Sequence, residues 1–186
     1  MKQENRSVRK TKAALQKNLI RLLGEKPINK ISVKELTEAS DLNRATFYLH
    51  YSDIYALMED VEESIIRDVH ELLQPIQMTR PIDMLEPLFE YMYEKRDTLK
   101  ILLSDYGNMA FFLKLIESIK QFCFELWKQY FNFKNDELYE YCFSFISSGT
   151  LSVARIWVSE GMKKSPREVA EMIEQMILFD ITSILK

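Results

Sequence analysis

Four glycines and five prolines are all that interrupt the helical potential of 186 residues. Nearly every interval between them is long enough for a helix, and apolar residues recur through those intervals at helical spacing, which excludes a turn-rich all-β fold. Leu15, Leu19, Leu22 and Leu23 mark one stripe of a first helix over 8–23, stopped by Gly24 and Pro27. Ser32 and Glu35 make a capping box for a short second helix ending near Ala39. A third short helix follows Asp41-Leu42-Asn43 and reaches Leu49, and a fourth runs from Asp53 to Leu73, ahead of Pro75. Further helices are expected over 82–93, 98–104, 108–131, 136–159 and 166–185, with Pro87 breaking or kinking the first of them.

Composition narrows the class further. Hydrophobic residues make up 47% and charged residues 28%, the balance of a globular chain with enough apolar side chains for a sizeable core. The start of the chain is polar and basic, and the longest apolar run is Met109 to Leu113, so neither a signal peptide nor a transmembrane helix is expected. Cys123 and Cys142 have no CxxC or Cys/His companions and read as buried thiols in a reducing cytoplasm. Net charge is −3, but residues 1–52 carry 11 Lys+Arg against 5 Asp+Glu, a surplus of +6, and the remainder carries −9. A basic N-terminal segment on an acidic body suits a chain whose first fifty residues meet a polyanion. Aromatic residues divide at the same place, with only Phe47, Tyr48 and Tyr51 before residue 53.

The most specific signal is the stretch from Ile31 to Tyr51. A capped short helix, a tight turn and a second short helix form a helix-turn-helix, whose second helix enters the DNA major groove. Ile31, Leu36, Leu42 and Phe47 are spaced to pack the two helices together, which leaves Arg44, Ala45, Thr46, Tyr48 and Leu49 facing outward. Arg44 can make two hydrogen bonds to guanine, Ala45 permits close approach, and Thr46 and Leu49 can touch phosphate or a thymine methyl. Lys34 would contact phosphate, and His50 would contact phosphate or cap the helix. A domain boundary follows: a helix-turn-helix DNA-binding domain over 1–52 and a helical remainder over 53–186 joined through the long fourth helix, an all-α chain throughout.

This stretch resembles the DNA-binding domain of the tetracycline-repressor (TetR/AcrR) family of bacterial regulators, whose pattern is met by Thr46, Phe47, Tyr48, His50, Tyr51 and Asp53. The resemblance implies DNA contacts from Lys34, Arg44, Thr46, Tyr48, Leu49 and His50. Two departures stand out. Asp41 occupies a turn position usually held by Gly, and Asp tolerates left-handed backbone better than most residues. Ile54 replaces a Lys that binds phosphate early in the fourth helix, a loss that Arg6, Arg9, Lys10 and Lys12 would offset. The run Ser148-Gly149-Thr150, with Arg155-Ile156-Trp157 and Glu160 to Pro166, is similar to a C-terminal subgroup that includes a regulator of dihydroxyacetone kinase genes.

Gly161 ends one long helix, and Ser165, Pro166 and Glu168 start the next, giving a helical hairpin. Small residues Ser144, Ser148, Gly149 and Ser152 make a stripe that lets another helix approach, and the last helix carries more apolar surface than one core face needs. A four-helix interface between two copies is therefore expected, drawing on Ser148, Gly149, Ser152, Ile156, Val169, Ile173, Met176 and Ile177. The central helices would hold a small hydrophobic or aromatic effector among Tyr91, Tyr106, Met109, Phe112, Phe124 and Trp127, with Tyr93 and Tyr130 nearby. Glu59, Asp60, Glu62 and Glu63 read as a solvated face of the fourth helix. Neither His50 nor His70 sits in a metal-binding pattern, and no P-loop, GxGxxG or nucleophile elbow is present, so no catalysis, cofactor or metal is expected. The expected function is a homodimeric regulator, a repressor released from a pseudo-palindromic DNA operator by an effector. A DNA-binding coactivator controlled by a protein partner is the alternative, and a helical adaptor the third.

Overall fold

Helix boundaries in the computed structural model fall close to the caps and breakers of the sequence. The structure describes residues 6–103, 109–130 and 135–184. Its helices are α1 (Arg6–Leu23), α2 (Val33–Ala39), α3 (Arg44–Tyr48), α4 (Ile54–Leu73), α5 (Ile82–Glu94), α6 (Arg96–Leu102), α7 (Met109–Tyr130), α8 (Asp136–Ser159) and α9 (Pro166–Ile184), with a 3₁₀ turn at Ile28–Lys30 that the periodicity did not announce. No strand occurs among the described residues. No described helix is long and apolar enough to cross a membrane.

Side chains from the first turn satisfy the free amides that begin several helices. Ser32 Oγ accepts from the Glu35 amide at 3.2 Å, Asn43 Oδ1 from Ala45 at 2.9 Å, and Asn135 Oδ1 from Leu138 at 2.8 Å. Glu35 completes its capping box only weakly, because its carboxylate is held first by Lys26 Nζ at 2.5 Å, which together lower its pKa. The box at α9 is fuller: Glu168 Oε2 accepts from both the amide and the hydroxyl of Ser165 at 2.7 Å. Pro87 does not break α5, which continues through it to Glu94. The residue four before it, Asp83, turns its carboxylate to the helix start instead, accepting from Thr79 and Arg80 amides at 2.7 and 2.9 Å.

Two compact units divide between Ile65 and Ile66, inside α4 rather than at its start. The first is built on Leu15, Leu19, Leu36, Phe47 and Leu57, each with no exposed surface. The second packs α5 chiefly against α9, burying Ile82, Leu85 and Phe89 with Val169, Ala170, Ile173 and Ile177. Glu174, 3% exposed, accepts from the Ile82 amide at 3.1 Å and from Arg80, and so caps α5 from α9. Along α4, residues 54, 57, 58, 61, 65, 69 and 73 form one buried stripe. The acidic group Glu59, Asp60, Glu62 and Glu63 does not form one solvated face. Glu62 is 8% exposed and Asp60 half-buried, while Glu59 and Glu63 are exposed.

Candidate nucleic-acid interface and association face

A five-residue helix has no stability of its own, so α3 exists because tertiary contacts hold it. Its anchor is Phe47, fully buried under the helix. The entry to α3 is a left-handed turn at Asp41, φ 53°, closed by a hydrogen bond from the Leu42 amide to the Thr37 carbonyl at 2.9 Å. Asp41 thus adopts the conformation that the usual Gly supplies. Thr37, buried beneath the turn, satisfies its hydroxyl on the Val33 and Lys34 carbonyls at 2.8 and 3.0 Å.

With Phe47 pointing inward, helical geometry sends its neighbours out. Arg44, Ala45, Tyr48 and Leu49 are exposed, Leu49 at 79%, and Thr46 and His50 are half-buried. The Tyr48 ring meets Phe47 edge-on at 5.4 Å between ring centres while its outer side stays open to solvent. Lys34 is exposed on α2 with its Nζ 3.8 Å from Glu38, a loose surface pair that a phosphate can displace. Arg6, Arg9 and Lys10 are exposed on the first turns of α1, which starts at Arg6. Lys12 departs from that group: its Nζ lies over the Tyr51 ring, 5.8 Å from the centroid. Ile54, the residue in place of the expected Lys, is 5% exposed and joins the core.

In the second unit, the α8–α9 hairpin turns through Gly161 and Met162, both at positive φ (79° and 54°). Trp157 Nε1 donates to the Lys164 carbonyl at 2.9 Å across this turn. Of the residues expected at a copy-to-copy interface, Ser148, Gly149, Ser152, Ile156 and Met176 are exposed. Val169, Ile173 and Ile177 are not: they are buried in their own chain, because that face of α9 is the one covered by α5. The same outer face also presents Tyr141, Phe145, Met172 and Phe179, exposed at 69, 66, 39 and 84%. Tyr141 and Phe145 continue the Ser148, Ser152, Ile156 stripe by one further turn each, so their helical spacing carried the signal.

Among the described residues, those expected around an effector fall in different surroundings. Phe112 and Trp127 are closed into the core, Trp127 against Tyr139 and Phe143 at 6.0 and 5.7 Å between ring centres. Tyr91 is half-buried and donates to Asp68 at 2.9 Å, with Lys95 over its ring; burial first, then that bond, raises its pKa. Phe124 edges an open, polar cleft of about 280 Å³ with Glu117, Lys120, Gln121, Asp136, Tyr139 and Glu140, where Lys120 is held by Glu140 at 2.6 Å. Tyr106 and the side chains of Met109 and Tyr130 lie outside the described residues. Cys123 is buried, which pushes its thiol up to about 12, and no metal-binding cluster occurs among the described residues.

An all-helical chain whose basic N-terminal segment carries two short helices joined by a tight turn has the helix-turn-helix architecture. Residues 79–178 match the family described as the C-terminal region of TetR-type transcriptional regulators, and the chain belongs to the TetR family of transcriptional regulators. It is 20% identical over 172 residues to the uncharacterized HTH-type transcriptional regulator YxbF of Bacillus subtilis (strain 168). That match takes in 89% of this chain and 44% of the relative, so the chain spans less than half of that protein's length. The fold is similar to that of the dihydroxyacetone kinase operon activator DhaS, with a TM-score of 0.66, 19% identity, and 93% and 97% of the two chains covered. It is likewise similar to a TetR transcriptional regulator from Streptococcus agalactiae 2603V, with a TM-score of 0.68, 20% identity, and 92% and 96% covered.

Proposed function

We propose that this regulator acts as a homodimer in which each protomer sets the α3 residues Arg44 to Leu49 in a major groove of a pseudo-palindromic operator. The observation that carries the proposal is the surface of α3, where Arg44, Ala45, Tyr48 and Leu49 are exposed over a fully buried Phe47. Arg44 supplies bidentate donors for guanine, Ala45 a close approach, and Leu49 an apolar contact for a thymine methyl. Thr46, His50, Lys34, Arg6, Arg9 and Lys10 supply phosphate contacts that set register and make affinity salt-dependent. The exposed apolar face of the hairpin supports pairing of two copies, and a two-fold dimer presents its reading helices to half-sites about 34 Å apart.

Regulation then acts on that spacing. A repressor reading has a small hydrophobic or aromatic effector binding the second unit and lowering operator affinity, which requires the effector to bind one dimer geometry better than the other. An activator reading has a specific basis: the structurally similar DhaS carries the name of an operon activator. In that case the controlling partner is a protein. Transcription in vitro from the operator-bearing promoter, with and without the regulator, separates the two signs.

Fluorescence anisotropy on duplexes tiled from the DNA upstream of its own gene, at two salt concentrations with competitor DNA, tests the proposal. Saturable binding to one symmetric tile, weakening steeply with salt, is the expected result. Equal binding to every tile would reduce the basic segment to electrostatics without readout.

A further inference from the structure

We propose that Asp60 is a positioning residue for the reading helix, acting through Tyr51 and tied to α1 through Gln16. The inference rests on the reading of α3 as the DNA-contacting helix and concerns what holds that helix in place. Phe47 and Tyr51, one helical turn apart, are its two inward anchors, 0% and 7% exposed. Phe47 holds by apolar contact, which has no direction and leaves a short helix free to roll about the ring. Tyr51 is different. Its hydroxyl donates to Asp60 Oδ2 at 2.6 Å, and a bond of that length to a carboxylate is strongly directional.

The same oxygen, Asp60 Oδ2, accepts from Gln16 Nε2 at 3.1 Å. One atom on α4 therefore fixes both α1 and the segment that leaves α3. Three further contacts tighten this point: the Tyr51 ring sits 5.8 Å from Phe47 and 6.4 Å from His50, and Lys12 Nζ covers it at 5.8 Å. Lys12, whose charge alone would suggest a phosphate contact, is placed here as a lid on the anchor. Asp60 is thus not part of a solvated acidic face. It turns a greasy contact between helices into a register, and base edges are read only when side chains arrive within a fraction of an ångström of them.

Three variants of the full chain test this: Tyr51→Phe, Asp60→Leu and Asp60→Asn. The readout is the ratio of two affinities by anisotropy, for the duplex that the wild type selects from a randomised pool and for a scrambled duplex of equal length. Loss of folding lowers both affinities together, whereas loss of positioning lowers only the first. Tyr51→Phe and Asp60→Leu are expected to reduce the ratio about tenfold with scrambled-duplex affinity unchanged. Asp60→Asn keeps one oxygen for both donors and is expected to stay within about threefold of wild type. A wild-type ratio retained by Tyr51→Phe and Asp60→Leu would overturn the inference, as would an Asp60→Asn variant as poor as Asp60→Leu. A wild type that selects no sequence would overturn the DNA-reading proposal itself, a failure visible without any variant.

Discussion

Replacing Phe145 by Ala should weaken the proposed dimer while leaving the protomer folded. Phe145 is 66% exposed on the outer face of the α8–α9 hairpin. A fully exposed Phe presents about 200 Å², so about 130 Å² of this one is open, and truncation to Ala removes about 90 Å² of it. At about 25 cal/mol per Å² that is roughly 2 kcal/mol per protomer. A two-fold interface contains the residue twice, and incomplete burial trims the doubled figure to about 3 kcal/mol, a dimer weakened by about 150-fold. Sedimentation velocity over a dilution series reads this directly. Tyr55→Ala is the matched control, since Tyr55 is 57% exposed on α4 in the first unit, and its loss should leave association unchanged. A Phe145→Ala protein that dimerises within about threefold of wild type would refute the reasoning, because a residue this exposed cannot be central and silent at once.

Three other consequences concern stability. Glu174→Ala should cost about 3 kcal/mol in urea unfolding, because it orphans the Ile82 amide inside the α5–α9 contact, and Glu174→Gln, which keeps an acceptor there, about half as much. Asp41→Gly should be neutral or mildly stabilising and Asp41→Val destabilising by about 1 to 2 kcal/mol, since a β-branched residue resists φ 53°. Glu168 is held below the ordinary carboxylate range first by the Ser165 amide and then by the Ser165 hydroxyl, so its folded pKa lies under its unfolded one. Its contribution is therefore present above the unfolded value and lost as pH falls through the folded value. Urea midpoints at about pH 6 and about pH 3 should differ less in Glu168→Gln than in wild type.

Helix order and ends were legible because so few residues can end a helix here and because those few coincide with caps. Asp136–Ser159 and the start at Pro166 are examples, fixed by Asn135, Gly161 and the Ser165–Glu168 box. Pro87 does not break α5 although it removes a hydrogen bond, because packing of Leu85 and Phe89 on α9 keeps the helix running. The outward set on α3 was legible from its spacing around Phe47. What holds that set was not: Tyr51, Asp60 and Gln16 meet across 44 residues of sequence, and nothing local says that one carboxylate takes two donors. The apolar excess of α9 was visible, but periodicity cannot say which face turns to its own chain. That choice is made by α5, over 80 residues away, which takes Val169, Ile173 and Ile177 and leaves Met172, Met176 and Phe179 outside.

If α3 reads bases while α2 and α1 contact phosphates, two substitutions separate the roles. Arg44→Ala and Lys34→Ala are measured by anisotropy against the selected operator and a set of its single-base-pair variants. Arg44→Ala is expected to lose about 1 to 3 kcal/mol on the parent operator and to flatten the preference at one base pair, whereas Lys34→Ala weakens every sequence alike and lowers the salt slope by about 1. Uniform losses from both variants across the whole set would contradict base readout by Arg44.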